Sequence, residues 1–178
     1  MFLAIPLLLS LTGCPEKAPC KMTLAERFLD DDAPVVKAWC PGHTPTIVLP
    51  EEGGCPDEMM DEAFHMWKDK GVDLAMVTEE DAKHVKWRID FEVDHDKYEV
   101  WGNTYKEFFS NALTYARITV QECDVYLIAH EIGHAVGFDH SEDENNLMFP
   151  TLDGHMTSIP ETQVEALQIT RASARPVK

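Results

Sequence analysis

Positive charge is what this chain has little of: 15 Lys and Arg stand against 32 Asp and Glu, a formal net charge of −17 over 178 residues. Such a balance repels phosphate backbones and anionic membrane surfaces at long range, so nucleic acid is excluded as a partner. The acidic residues are spread along the chain, which describes a solvated surface rather than a trap for basic substrates. Internal repeats and low-complexity tracts are missing too. The apolar opening MFLAIPLLLSLTG is only thirteen residues long, too short to span a bilayer as a helix. Five cysteines are present, but in no spacing that resembles a Cys-based zinc site. At 44% hydrophobic content the length suffices for one good core and is short for two, so a single main domain is expected, and the protein is read as a monomer.

The organisation expected is an export segment at 1–13, a tether and lead-in at 14–44, and a main domain at 45–178. Leu11, Thr12, Gly13 and Cys14 resemble a bacterial lipobox. That resemblance implies a lipid on Cys14 and membrane anchorage in the cell envelope. Pro15 is not the aspartate associated with inner-membrane retention in Gram-negative cells, which favours the outer membrane. The usual Lys or Arg ahead of the apolar run is absent, and an ordinary secretory signal with an incidental cysteine is the alternative. Both export the chain. An oxidising compartment permits disulfides, and Cys20, Cys40, Cys55 and Cys123 then allow two bridges in any of three pairings.

Between Pro15 and Pro45 the chain is rich in Pro, Asp and Lys, with one short helical candidate opening at Thr23 and Glu26 in capping-box position. Regular patterning starts at Thr46–Leu49, a short strand. Gly53 and Gly54 make a turn, Pro56 suits a first helical position, and Met60, Ala63, Phe64 and Trp67 recur at helical spacing before Gly71. That stripe is core, with His65 at its rim. Val72–Val77 reads as a second strand. Val85, Trp87, Ile89, Phe91 and Val93 alternate with charged residues as a strand wet on one face. A polar loop around Asp94, His95 and Asp96 precedes a further strand at Leu113–Val120. Strand, helix, strands and a long apolar helix make an α+β fold, a mixed twisted sheet backed by helices.

The long helix is expected to begin near Asp124, and it carries HEIGHAVGFDH from 130 to 140. Tyr126, His130 and His134 fall on one stripe because residues four apart lie one above the other. Imidazoles in a dry interior need partners, since an unpaired polar group there costs roughly 1 to 3 kcal/mol. One divalent ion satisfies both at about 2.0 to 2.1 Å per bond. Gly137 can adopt the left-handed conformation that ends a helix, turning the chain so that His140 returns to the same ion. Three neutral ligands leave a fourth position for water, the mark of a catalytic rather than a structural zinc. Glu131, beside the first ligand, is placed to act as general base.

HEIGHAVGFDH matches the metzincin signature in full. Met148 in LMFP resembles the Met-turn of that family, and Ser141 with Leu147–Pro150 is most similar to its matrixin branch. The run from Ser158, with Glu161 in capping-box position, resembles the branch's closing helix. The match by residue spans roughly 113 to 150. Phe149 stands where matrixins usually have tyrosine, and the loop that carries extra zinc and calcium in animal matrixins has no equivalent, so His84, Asp94, His95 and Asp96 receive no second metal. Cys55 in GGCPDE is similar to the cysteine-switch motif only in part. A disulfide or a buried thiol suits its position better.

The resemblance implies a zinc endopeptidase with one catalytic Zn²⁺ on His130, His134 and His140, and Glu131 as general base. Its substrate would be a protein or peptide in extended form, added as an antiparallel strand beside Leu113–Val120. Thr151, Leu152 and His155 are candidates for the wall of a side-chain pocket, with His155 alternatively a transition-state stabiliser or a surface residue. The reading from another class is a lipid-anchored zinc-binding or adhesion module without turnover. An intact Glu131 argues against it.

Overall fold

The computed structural model describes residues 20–21, 38–96, 101–109, 112–151, 158–172 and 175–176. The export segment, Cys14, the helical candidate at Thr23, Leu152 and His155 lie outside them. Among the described residues no helix is long and apolar enough to cross a membrane.

The chain runs β1 (Cys20–Lys21), β2 (Ala38–Trp39), β3 (Thr46–Leu49), α1 (Asp57–Lys68), β4 (Ala75–Thr78), β5 (Arg88–Val93), β6 (Gly102–Phe109), β7 (Ala112–Val120), α2 (Val125–Val136), α3 (Glu161–Ala172) and β8 (Arg175–Pro176). Six strands form one mixed sheet. β4, β3, β5 and β7 are parallel neighbours in that order, β2 extends the β5 side of the sheet by pairing with the start of β7, and β6 closes the far side antiparallel to β7. β1 and β8 pair separately.

Alternation fixes which face of the sheet is covered. Ile89 and Phe91 of β5 and Ala116 and Ile118 of β7 are buried in the core. On the opposite face polar partners meet across the strands: the Tyr115 hydroxyl donates to Asp90 at 2.7 Å and Thr119 to Glu92 at 2.7 Å. A face that bonds its own polar groups can stay wet, so the helices need cover only the apolar side.

α1 and α2 pack together over the core through Trp67, which stacks on Phe138 with ring centroids 5.1 Å apart and donates its indole N–H to Ala129 O at 2.7 Å. Trp39 does the same for Ala135 O at 2.9 Å. Ala135 is in the last turn of α2, where carbonyls have no partner within the helix, so the indole satisfies one of them. Trp39 and Cys40 are only 1% exposed, so the end of the stretch expected to be a lead-in belongs to the core. The four cysteines form Cys20–Cys40 and Cys55–Cys123. Cys123 stands next to the Asp124 cap of α2 and ties that helix to Cys55, which precedes the Pro56 cap of α1.

Several boundaries differ from the expectations, each for a local reason. Pro56 caps α1 rather than opening it. The second strand starts at Ala75, because Val72 and Leu74 are buried in the approach to it. Asp81–His84 forms a 3-10 turn, and regular pairing of β5 begins only at Arg88. Ser158 does not cap α3. It bridges to Asn146, its carbonyl accepting from Leu147 N at 2.8 Å, and the helix begins at Glu161 after Pro160.

β6 has no counterpart among the strands expected from the sequence, and it overturns the expectation that Leu113–Val120 receives a substrate strand. β5 occupies one edge of β7 from Ala116 to Val120, β2 takes Ala112 and Leu113 on that side, and β6 runs along the other edge. The main-chain groups of β7 are therefore engaged within the sheet. Among the described residues β6 pairs with β7 alone, which makes β6 the edge.

Candidate metal centre

α2 is set in position before any metal chemistry is considered. The Asp124 carboxylate accepts from Tyr126 N at 3.0 Å and Leu127 N at 2.9 Å, satisfying two donors at the start of the helix. Gly137 ends it with φ of 125°, a conformation that side chains rarely adopt. Gly133 serves a different purpose, since a Cβ there would lie 2.6 Å from Trp67 Cζ2 and would run into Met148 Sδ. A glycine inside a helix costs about 1 kcal/mol relative to alanine. Here the bare backbone admits both the indole and the thioether.

His130, His134 and His140 converge, each offering a ring nitrogen, with the three nitrogens within 4.8 Å of one another. Two rings are aimed by backbone carbonyls: His130 Nδ1 lies 2.7 Å from Leu147 O, and His134 Nδ1 2.8 Å from Phe138 O. A carbonyl only accepts, so each Nδ1 carries the proton and each Nε2 keeps its lone pair. His134 Nε2 and His140 Nε2 are 3.1 Å apart. Two ligands of a tetrahedral zinc stand about 3.3 Å apart for bonds of about 2.05 Å, so this approach fits one shared ion. Burial holds His130 below the ordinary histidine range and brings His134 down to about 3, which keeps both rings neutral as ligation requires. His130 is buried, His134 half-buried and His140 exposed, so the group opens toward solvent on the His140 side.

The segment from Asn146 to Phe149 reaches the site through its backbone carbonyls. Met148 is fully buried, its N–H donates to the Asn146 side chain at 2.9 Å, and its carbonyl accepts from Ser141 N at 2.8 Å. Ser141 follows His140 directly, so the turn fixes the third histidine through the backbone while Leu147 fixes the first. Of the pocket candidates, Thr151 is exposed.

Glu131 is 4% exposed, and burial pushes its carboxyl up to about 7 against the opposing influence of Thr104 and Lys106. The Thr104 hydroxyl lies 2.6 Å from Glu131 Oε2 and 3.1 Å from Glu131 O. Thr104 sits on β6, and so do Gly102, which packs on the same carboxylate, and Lys106, whose ammonium is 3.7 Å from Asp139. No pattern in the sequence singles out these three. The carbonyls of Leu147 and Phe138 are equally invisible there, since every residue offers a carbonyl.

Residues 86–169 match the family model described as Matrixin, from the start of β5 nearly to the end of α3. Over those residues the chain is similar to the Matrixin family, and its fold is metzincin-like. The family match reaches well beyond the 113–150 span of the motif on both sides. Among solved structures, metalloproteinase-II from Bacteroides fragilis is similar with a TM-score of 0.50 and 14% identity, over 76% of this chain and 55% of that one. At such identity the likeness concerns the fold, and this chain spans little more than half of that protein's length. The three histidines form a site that could hold a metal ion, and zinc is the metal the family implies.

Proposed function

We propose that the protein is an endopeptidase acting on extracytoplasmic proteins, with His130, His134 and His140 holding one catalytic zinc ion and Glu131 as general base. The observation that carries the reading is a buried carboxylate adjoining three convergent imidazoles, two of which have their Nδ1 protons already committed to carbonyls. A zinc ion held there supplies Lewis-acid polarisation of the scissile carbonyl and lowers the pKa of a bound water to about 7. Glu131 accepts the proton of the attacking water and delivers it to the departing amine.

The substrate is an extended peptide that adds along the outer side of β6, where main-chain hydrogen bonds give sequence-tolerant affinity. Tyr105 and Phe109 on β6 are exposed and available to flank such a peptide. The lipobox-like stretch Leu11–Cys14 supports a location in the cell envelope, held by a lipid on Cys14. The test is digestion of casein and a peptide library by wild type, by wild type with a chelator, and by Glu131→Ala. Activity abolished by both treatments, with the Ala variant still holding zinc, supports the enzyme; no digestion by wild type favours a zinc-binding or adhesion module instead.

A further inference from the structure

The base of the reaction proposed above belongs to α2, yet the groups that hold its carboxylate come from β6. Alternation along β6 turns Gly102, Thr104 and Lys106 toward α2 and leaves Asn103, Tyr105 and Glu107 exposed. Thr104 stands at the middle of that inner row. Its hydroxyl, 2.6 Å from Glu131 Oε2, is a short contact of the kind made to an ionised acceptor. The longer approach to Glu131 O at 3.1 Å gives the same hydroxyl a second acceptor. The two acceptors together hold the hydroxyl against the Oε2 side of the carboxylate. Gly102 packs on the other oxygen: a Cβ there would stand 2.6 Å from Glu131 Oε1 and 2.8 Å from Leu127 Cδ1. Alanine at 102 would therefore have to push the carboxylate or Leu127 aside.

We infer that Thr104 is a positioning residue for Glu131. It pins Oε2, so that Oε1 is the oxygen that receives the proton of the water and releases it to the amine nitrogen, while Gly102 leaves Oε1 the room to do so. The threonine proton stays on the threonine throughout. This rests on the endopeptidase reading and adds to it a link between substrate docking and chemistry, because the strand that offers its edge to the peptide is the strand that aims the base.

The experiment compares wild type, Thr104→Val, Thr104→Ser and Gly102→Ala for zinc content, kcat and KM on one peptide. It also records the carboxylate stretch of the metal-free proteins with ¹³C-labelled glutamate, the Glu131 band being identified by difference against Glu131→Gln. Loss of a group that orients a site residue typically costs about 10- to 100-fold. Thr104→Val should lower kcat by that factor with KM and zinc content unchanged, Thr104→Ser should restore kcat to within a few-fold of wild type, and Gly102→Ala should lower kcat with the threonine intact. The Glu131 band should shift in the Val variant and stay in the Ser variant. If Thr104→Val does not fold, the Ser and Ala variants decide by the same criteria. Full kcat in the Val variant, a Ser variant no better than Val, a kcat loss that merely tracks zinc loss, or an unmoved carboxylate band overturns the inference while wild type still cleaves. A wild type that cleaves nothing overturns the endopeptidase reading and this inference with it.

Discussion

Helix α2 and strand β6 meet at the candidate site, and they are held there by different means. α2 is surrounded: Ile128, Ala129, Ile132 and Ala135 are fully buried, its start is capped by Asp124 beside a disulfide, and two indoles bond to its carbonyls. Among the described residues β6 pairs with β7 alone, and Tyr105 and Phe109 are 54% and 40% exposed. His130 and His134 thus ride on a core element that close packing makes rigid. The contact that steadies Glu131 comes from the periphery. Metal affinity and turnover should accordingly respond to different substitutions, and the following outcomes separate the two regions.

The largest effect is expected on the helix side. His130→Ala removes a ligand together with the ring aimed by Leu147 O, and it should abolish zinc binding at micromolar metal, read by elemental analysis after gel filtration. Retention of stoichiometric zinc would show that the three rings do not share one ion. Next comes the mounting of the helix. Replacing Cys55 and Cys123 with serine opens a bridge across 68 residues of chain, and the loop-entropy relation gives a loss of about 4 kcal/mol, read by urea denaturation. The same pair of substitutions should leave the zinc content of the folded fraction unchanged, since the ligands are not touched.

The helix side is also the side that can be read from the sequence. HEIGHAVGFDH is legible because its links are local: four-residue spacing stacks two histidines, Gly137 turns the chain, and the third histidine follows within six residues of the second. The core faces of β5 and β7 are legible for a similar reason, as alternation reports burial directly. β6 escapes because edge exposure erases the contrast: its inner row is Gly102, Thr104 and Lys106, and its outer row includes Tyr105, the reverse of an apolar-in pattern. With β6 hidden in this way, the sequence presents β7 as the edge. The cysteine pairing and the Thr104 contact depend on distances across 68 and 27 residues of chain, which no local pattern encodes.

Where the two regions touch, a pH dependence is expected in the metal-free protein. The Glu131 carboxyl is raised from 4.5 to about 7 by burial, so the folded state binds its proton more tightly than the unfolded state does. Its contribution to stability is fully present below about pH 4.5 and is lost as pH rises through about 7. Burial of His130 and His134 lowers their values and acts in the opposite sense, so the comparison must be made against Glu131→Gln, which keeps both histidines. The Gln variant should match wild type near pH 4 and exceed it above pH 7 by up to about 3 kcal/mol, because each tenfold difference in proton affinity between the folded and unfolded states is worth about 1.4 kcal/mol. Parallel stability curves would mean that Glu131 is better solvated than its burial implies.

The smallest effect belongs to the strand side. Lys106 Nζ and Asp139 Oδ1 are 3.7 Å apart, with the two side chains 24% and 46% exposed, and they join β6 to the turn that carries His140. Their position invites the idea of a clamp between edge strand and ligand turn. Yet a pair this long and this wet has little net attraction once water and side-chain entropy oppose it, and exposed pairs generally contribute about 0 to 1 kcal/mol. A double-mutant cycle with Lys106→Met and Asp139→Asn should give a coupling below about 1 kcal/mol that shrinks further in 1 M salt, where the screening length is about 3 Å. A coupling several times larger, or one insensitive to salt, would mean that β6 is bound to the ligand turn almost as firmly as α2 is bound to the core, and metal affinity and turnover would then no longer respond to separate substitutions.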